Sequence, residues 1–307
     1  MAITVDNEAE FWNTFFDHGG RINMVGLDLE GRIVIGASAG GRSEGSKDRA
    51  YSHERPADMS LPALERNNQY ANTVTIEQLK EKTDSYHNYI SFRVGATLDE
   101  HIGHPSVNAE GVMVVSNGCH TSDIYGAFRN AVRQFEEDIL GDVSVEKLYR
   151  HAVETALLDA GPETDPCNTA RIATAVDARN GFAVLGIAYF KDPENRQGME
   201  VRTQFVDLRN LDNGQGLAIS TYDGSPDDPL RPPLDGDGEP VLLNLLNVDG
   251  SAESLLNVQD KRFHGCAGTC TFEPGLPEGS AGAVRTKDIP SGKYTWNFNP
   301  EAEKSAA

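Results

Sequence analysis

The chain contains no apolar run near the ~18–20 residues that a membrane helix needs, and its start, Met1-Ala-Ile-Thr-Val-Asp-Asn-Glu8, lacks the basic-then-apolar pattern of a secretory signal. A cytoplasmic protein with no membrane partner is the expectation. Cysteine is scarce: Cys119, Cys167, Cys266 and Cys270 are the only four in 307 residues, which excludes a disulfide scaffold and fits free thiols in a reducing compartment. Basic charge is scarce too, with 18 Arg and 9 Lys against 47 acidic residues and a net charge of −20. Nucleic acid is therefore excluded as a partner, because phosphate backbones are held by clustered cations. An acidic, lysine-poor surface suits a high-salt cytoplasm, where screening relieves self-repulsion.

Nucleotide-binding loops are missing as well. No G-x-G-x-x-G follows a strand and no G-x-x-x-x-G-K-[ST] occurs, so neither a Rossmann domain nor a P-loop is supported. His101-x-x-His104 and His264-x-Cys266-x-x-x-Cys270 each lack the full paired set of a zinc site, and no metal or other cofactor is expected.

Strands and helices are present in a legible order. Arg21–Gly26 and Arg32–Gly36 form a hairpin around Asp28-Leu-Glu-Gly31, where Gly31 is free to take positive φ. Gly40–Arg49 is too polar and glycine-rich for a core element and long enough to wrap a ligand. His87–Val94 and Gly111–Ser116 read as strands, the second ending in an Asn117-Gly118 turn. Ile124, Phe128, Ala131, Val132, Phe135 and Ile139 recur at helical spacing, with Ser122 as N-cap. A second helix runs from about Ser144 to Ala160 on a stripe of Leu148, Ala152, Val153, Ala156 and Leu157, stopped by Gly161.

A further hairpin, Arg171–Val176 and Phe182–Tyr189, flanks Asp177–Gly181, and Leu217–Tyr222 is one more strand. Strands, a helix pair and strands again predict antiparallel sheets with helices outside, an α+β layered domain. After Gly224 the composition shifts to a Pro, Asp and Gly linker over 225–240, then a helix from Val241 and a glycine-rich tail. The expected division is a domain over 1–224 and an extension over 225–307 that is free to pack on it.

Three stretches resemble the archaeal-type inosine monophosphate cyclohydrolase family: Gly41-Arg-Ser-Glu-Gly-Ser-Lys-Asp-Arg49, Val115-Ser-Asn-Gly-Cys-His-Thr121 and Glu163-Thr-Asp-Pro-Cys-Asn-Thr-Ala-Arg-Ile172. Ile219-Ser-Thr-Tyr222 fits a fourth, later block. The Arg42–Arg49 loop and the tail are longer than the family's compact forms. The resemblance implies a four-layer αββα sandwich of the N-terminal-nucleophile hydrolase fold, without an N-terminal nucleophile. It also implies a homo-oligomer and closure of 5-formamidoimidazole-4-carboxamide ribotide to inosine monophosphate with loss of water.

By the same resemblance Glu163 is the general base, Tyr89 a donor to the formyl oxygen, Arg49 a catalytic-site cation and Asn168 a ligand for the substrate amide. The residue types fit the reaction. A guanidinium at Arg42 or Arg49 suits a dianionic phosphate or an amide oxygen. Asn117 offers donors and an acceptor beside a helix start, and His120 is a neighbouring group able to titrate near neutrality. Ordinary alternatives stand beside each: a surface arginine, a packed tyrosine, an Asn-Gly turn, a solvated glutamate, a helix-cap histidine. Cys119 and Cys167 have no Cys-His relay and read as small, partly buried residues. Two other functions remain open, an amide hydrolase on the same fold and a non-catalytic purine-nucleotide-binding regulatory protein.

Overall fold

The computed structural model describes residues 3–5, 21–39, 49–52, 68–75, 91–98, 105–117, 120–137, 141, 143–162, 168–192, 194–222, 232–235, 237, 239–257, 266–274 and 292–298. Its strands are β1 (Ile3–Val5), β2 (Arg21–Leu27), β3 (Ile33–Ala39), β4 (Arg49–Ser52), β5 (Asn68–Thr75), β6 (Ser91–Leu98) and β7 (Pro105–Ser116), then β8 (Arg171–Asp177), β9 (Phe182–Asp192), β10 (Gln197–Asp207), β11 (Gly216–Ser220), β12 (Leu243–Leu245), β13 (Cys266–Pro274) and β14 (Gly292–Phe298). The helices are α1 (Thr121–Glu136), α2 (Val145–Ala160) and α3 (Val248–Asn257).

Two sheets result. The first has the order β1-β12-β11-β2-β3-β13-β14 and the second β10-β9-β8-β7-β6-β5-β4, joined by one register pair, Gly292 with Asn108. Pairing is antiparallel throughout except for β1 on β12 and that single joint. Alternation along the strands dictates the layering, since successive side chains point to opposite faces. On β7, Met113 and Val115 join Val25, Ile35, Ile172, Leu185 and Phe272 in the core between the sheets. Val112 and Val114, from the same strand, face α1 and α2 and pack with Phe128, Tyr149, Val153 and Leu157. On the outer face of the first sheet, Ile22, Met24, Val34, Ala218 and Leu243 pack against Val248 and Leu255 of α3. Helices thus cover both outer faces of the sheet pair.

The opposed glycines Gly26 and Gly216 make α3 fit. A Cβ on Gly26 would lie 2.5 Å from both the Gln215 carbonyl and a methyl of Val248, so only bare backbone admits the helix start there.

The first hairpin forms as expected, with Gly31 at φ 77°, and so does the second, with Gly181 at φ 74°. Ser144 caps α2 by accepting from the Lys147 N–H, and Gly161 ends it. Other expectations need correction. His120, not Ser122, holds the cap position of α1, and Ser122 lies inside the first turn. The segment from Val241 begins with the strand β12, and its helix starts only at Val248, because Leu243 and Leu245 pair with β11. Residues beyond 224 complete the first sheet: β13 runs antiparallel to β3 from Phe272 opposite Ile33 to Cys266 opposite Ala39. No helix among the described residues is long and apolar enough to cross a membrane.

Candidate functional site

At one end of the sandwich, β2 and β8 begin while β7 and β11 finish. Here the inter-sheet face turns from apolar to polar. Arg21 and Asn23 precede Val25 on the inward face of β2, Thr174 sits between Ile172 and Val176 on β8, and Asn117 follows Val115 on β7. Asn23 bridges the two sheets, its Nδ2 donating to the Val115 carbonyl at 3.2 Å. Thr174 is the cross-strand partner of that same Val115.

Asn117 is fully buried and holds the junction of β7 and β8. Its Oδ1 accepts from the Ile172 N–H at 2.7 Å, and its Nδ2 donates to the Ala170 carbonyl at 2.9 Å. The side chain expected to bind substrate therefore serves first to position the backbone around Asn168 and Arg171. Asn168 takes φ 48°, a left-handed conformation that asparagine tolerates better than most residues. Thr169 and Tyr222 share a hydroxyl–hydroxyl hydrogen bond of 2.7 Å, tying the end of β11 to the start of β8. Thr221 is tied to Arg21 on β2, its N–H donating to the Arg21 carbonyl at 2.9 Å.

His120 lies at the centre, 2% exposed, with Nδ1 accepting from the Arg171 guanidinium at 3.0 Å. Burial, then Arg171, push its pKa down to about 3, with the Ile172 backbone opposing and Arg21 adding a smaller depression. The imidazole is neutral at physiological pH, so the expectation of titration near neutrality is overturned by desolvation. Because Nδ1 accepts, the ring proton resides on Nε2. Among the described residues that atom has no hydrogen-bond partner.

Among the described residues, Asn23 Oδ1, Thr174 Oγ1 and Arg171 Nε are other buried atoms in the same condition. Buried polar groups in folded proteins are nearly always bonded. Asn23 Oδ1 and Thr174 Oγ1 face between the sheets, while His120 Nε2 and Arg171 Nε lie on the α1 side of β8, and each pair marks a place where a polar ligand or ordered water belongs.

Of the residues singled out from sequence, Asn117, His120 and Asn168 come together here. Arg49 is described by its backbone on β4. Register runs from Ser116 through Ser91 and Asn72 to Ser52, and Arg49 lies three residues further toward this same end, three strands or about 14 Å from β7. Arg42, Tyr89 and Glu163 lie outside the described residues. Arg21, Asn23, Arg171 and Thr174 were not singled out. The signal for Arg21, Asn23 and Thr174 was a polar residue at an inward position of an apolar strand, as in Ile22-Asn-Met-Val25 and Ile172-Ala-Thr-Ala-Val176; Arg171 stands on the opposite face of β8 and carried no such signal.

Among the described residues one acidic group, Asp28, Glu30 and Asp249, has the spacing of metal ligands. It lies at the opposite end of the sandwich, and its carboxylates already accept from Arg32 and from the Leu29, Glu30 and Arg32 N–H groups. No protein-family model matches the chain, and no curated protein matches it.

Proposed function

We propose that the chain is a ring-closing enzyme of the inosine monophosphate cyclohydrolase type, built on a sandwich of the N-terminal-nucleophile hydrolase kind. One observation supports the reading: the described parts of the sequence blocks that prompted it, far apart along the chain, lie at one end of the sandwich. The Asn117 block is bonded to the Arg171 block, and Thr169 to Tyr222 of the fourth. The β4 register brings the last residue of the first block to that same end.

The chemistry asks little beyond placement. The carboxamide nitrogen attacks the neighbouring formamide carbon, forming the C–N bond, and the former formyl oxygen leaves as water. Holding both groups of one molecule in a reactive rotamer supplies up to ~7–11 kcal/mol in favourable cases, and a placed acid or base adds ~10²–10⁴-fold. Glu163 takes the amide proton, Tyr89 donates to the formyl oxygen, Arg49 stabilises charge developing there, and Asn168 orients the carboxamide. Asn23 and Thr174, one acceptor and one hydroxyl at the floor of the site, suit an amide-bearing heterocycle, which presents both donors and acceptors. Arg42 remains a proposed substrate contact, and a cytoplasmic homo-oligomer the proposed setting.

The test is conversion of the formylated ribotide by the purified chain, followed by absorbance of the purine product. Glu163→Gln and Tyr89→Phe are each expected to lower kcat by about 10²–10⁴-fold. A folded wild-type protein that binds the ribotide without closing it would overturn the reading in favour of a nucleotide-binding protein. Release of formate would point instead to an amide hydrolase.

A further inference from the structure

We propose that Arg171, hydrogen-bonded to His120 at the start of α1, is an oxyanion-binding group at this end of the sandwich and takes a phosphomonoester. Assigning that group to the 5′-phosphate of a ribotide rests on the ring-closing reading; the phosphomonoester site itself does not.

In a chain with 47 acidic residues, arginines find carboxylates easily. Arg32, Arg133, Arg150, Arg179, Arg202 and Arg209 all do so. Arg171 does not. It is half-buried, and its one hydrogen bond goes to an imidazole nitrogen. A guanidinium withdrawn from water with its Nε unpartnered lacks the anion that would offset its desolvation.

The neighbours deepen the same field. His120 is kept neutral, so it accepts from Arg171 instead of repelling it and presents Nε2–H as a further donor. Arg21 lies close enough to act electrostatically on the same ring. The sixteen-residue α1 starts directly after His120 with no side-chain cap bond, which adds the positive end of its dipole. The acidic residue of its first turn, Asp123, is exposed.

Arg171 and Thr174, three residues apart, lie on opposite faces of β8: Thr174 shares the inter-sheet face with Ile172 and Val176, whereas Arg171 shares the α1 side with Ala173 and Ala175. Arg42, the earlier expectation for the phosphate, is not needed for a phosphate contact at Arg171.

The experiment compares binding of 5-aminoimidazole-4-carboxamide ribotide with its phosphate-free riboside to the full chain by calorimetry. Wild type is expected to prefer the ribotide by about 10- to 100-fold. Arg171→Gln should collapse that preference to within about threefold while leaving riboside affinity unchanged, and Arg171→Lys should retain part of it. A folded Arg171→Gln protein with the wild-type preference overturns the proposal, as does a wild type that does not distinguish the two ligands. Should Arg171→Gln not fold, Arg171→Lys decides: an undiminished preference, together with an undiminished rise in Tm on replacing chloride by inorganic phosphate at equal ionic strength, overturns it. Arg171-dependent binding of phosphate without ring closure would sink the ring-closing reading alone; ring closure with an unaltered preference in the variant would sink this site alone.

Discussion

Two sets of buried polar groups, one at each end of the sandwich, are partnered differently. At the end where β2 and β8 finish, Asp28 accepts from the Glu30 N–H, the Arg32 N–H and Arg32 Nε, and Asp177 accepts from the Tyr149 hydroxyl, the Asn180 N–H and Asn180 Nδ2. Each carboxylate is surrounded by donors that exist to fix a turn. At the other end, Asn23, Thr174, His120 and Arg171 each keep an atom with nothing to bond among the described residues. Asp28 and Asp177 are buried, and so are Asn23, Thr174 and His120, so burial alone does not separate structure from function. Saturation does: a group whose partners are all intramolecular is committed to the fold, and a group left unsatisfied at a cost of ~1–3 kcal/mol is available to a ligand.

The sharpest way to test that contrast is to remove an acceptor from the saturated set. Asp177→Ala strands the Tyr149 hydroxyl and the Asn180 donors inside a core where Tyr149 meets the edges of Phe128, Phe135 and Phe182. A loss of about 3–5 kcal/mol is expected, a fall in Tm of roughly 10 °C, with ligand affinity of the surviving folded protein unchanged. Chemical denaturation and calorimetry measure both halves. An intact stability would mean that this carboxylate, which burial already pushes toward protonation, is not holding its turn.

The next effect belongs to the unsaturated set. His120 has a folded pKa of about 3 against an ordinary 6.5, so between those values the unfolded chain binds the extra proton. Stability from this residue is complete above pH 6.5 and declines as pH falls toward 3, by an amount on the order of 4 kcal/mol. His120→Gln keeps an acceptor for Arg171 without a titrating ring, and its stability should vary less with pH over that window. Urea midpoints at pH 7, 5.5 and 4 make the measurement, and identical slopes for both proteins would show that the imidazole is not held neutral.

How much of this was legible in the letters follows from the range of the forces involved. Local chemistry wrote itself plainly: Gly31 and Gly181 at hairpin turns, Ser144 and Gly161 at the ends of α2, the apolar stripe from Ile124 to Val132. Long-range pairing did not. β10 finds ten register partners on β9, and the alternation of Met199, Val201, Thr203 and Phe205 with Glu200, Arg202 and Gln204 was a strand signal that went unread. β12 and β13 looked like parts of an extension because their proline- and glycine-rich surroundings hide the fact that β11 and β3 need neighbours.

The site divides in the same way. Asn117, His120 and Asn168 were visible through short motifs, whereas Arg171 and Thr174 gain meaning only when it is known what they fail to touch. His120 shows the converse error: the residue was found, but its protonation state depends on a guanidinium fifty-one positions away.

The smallest expected effect is the most discriminating. Thr174→Val removes a buried hydroxyl that has no partner and replaces it with a methyl group of nearly the same shape, on a strand whose neighbours Ile172 and Val176 are already apolar. Where a hydroxyl is bonded, this exchange costs stability; where it is left unsatisfied, the exchange relieves a desolvation cost. A gain of about 1 kcal/mol and a rise in Tm of roughly 2–4 °C are therefore expected for the ligand-free protein, with weaker binding of the carboxamide ribotide in the same variant. A loss of stability would mean that the hydroxyl is bonded within the fold. The floor of the site would then belong with Asp28 and Asp177 among the committed groups, and the division between the two sets would have to be redrawn at Arg171.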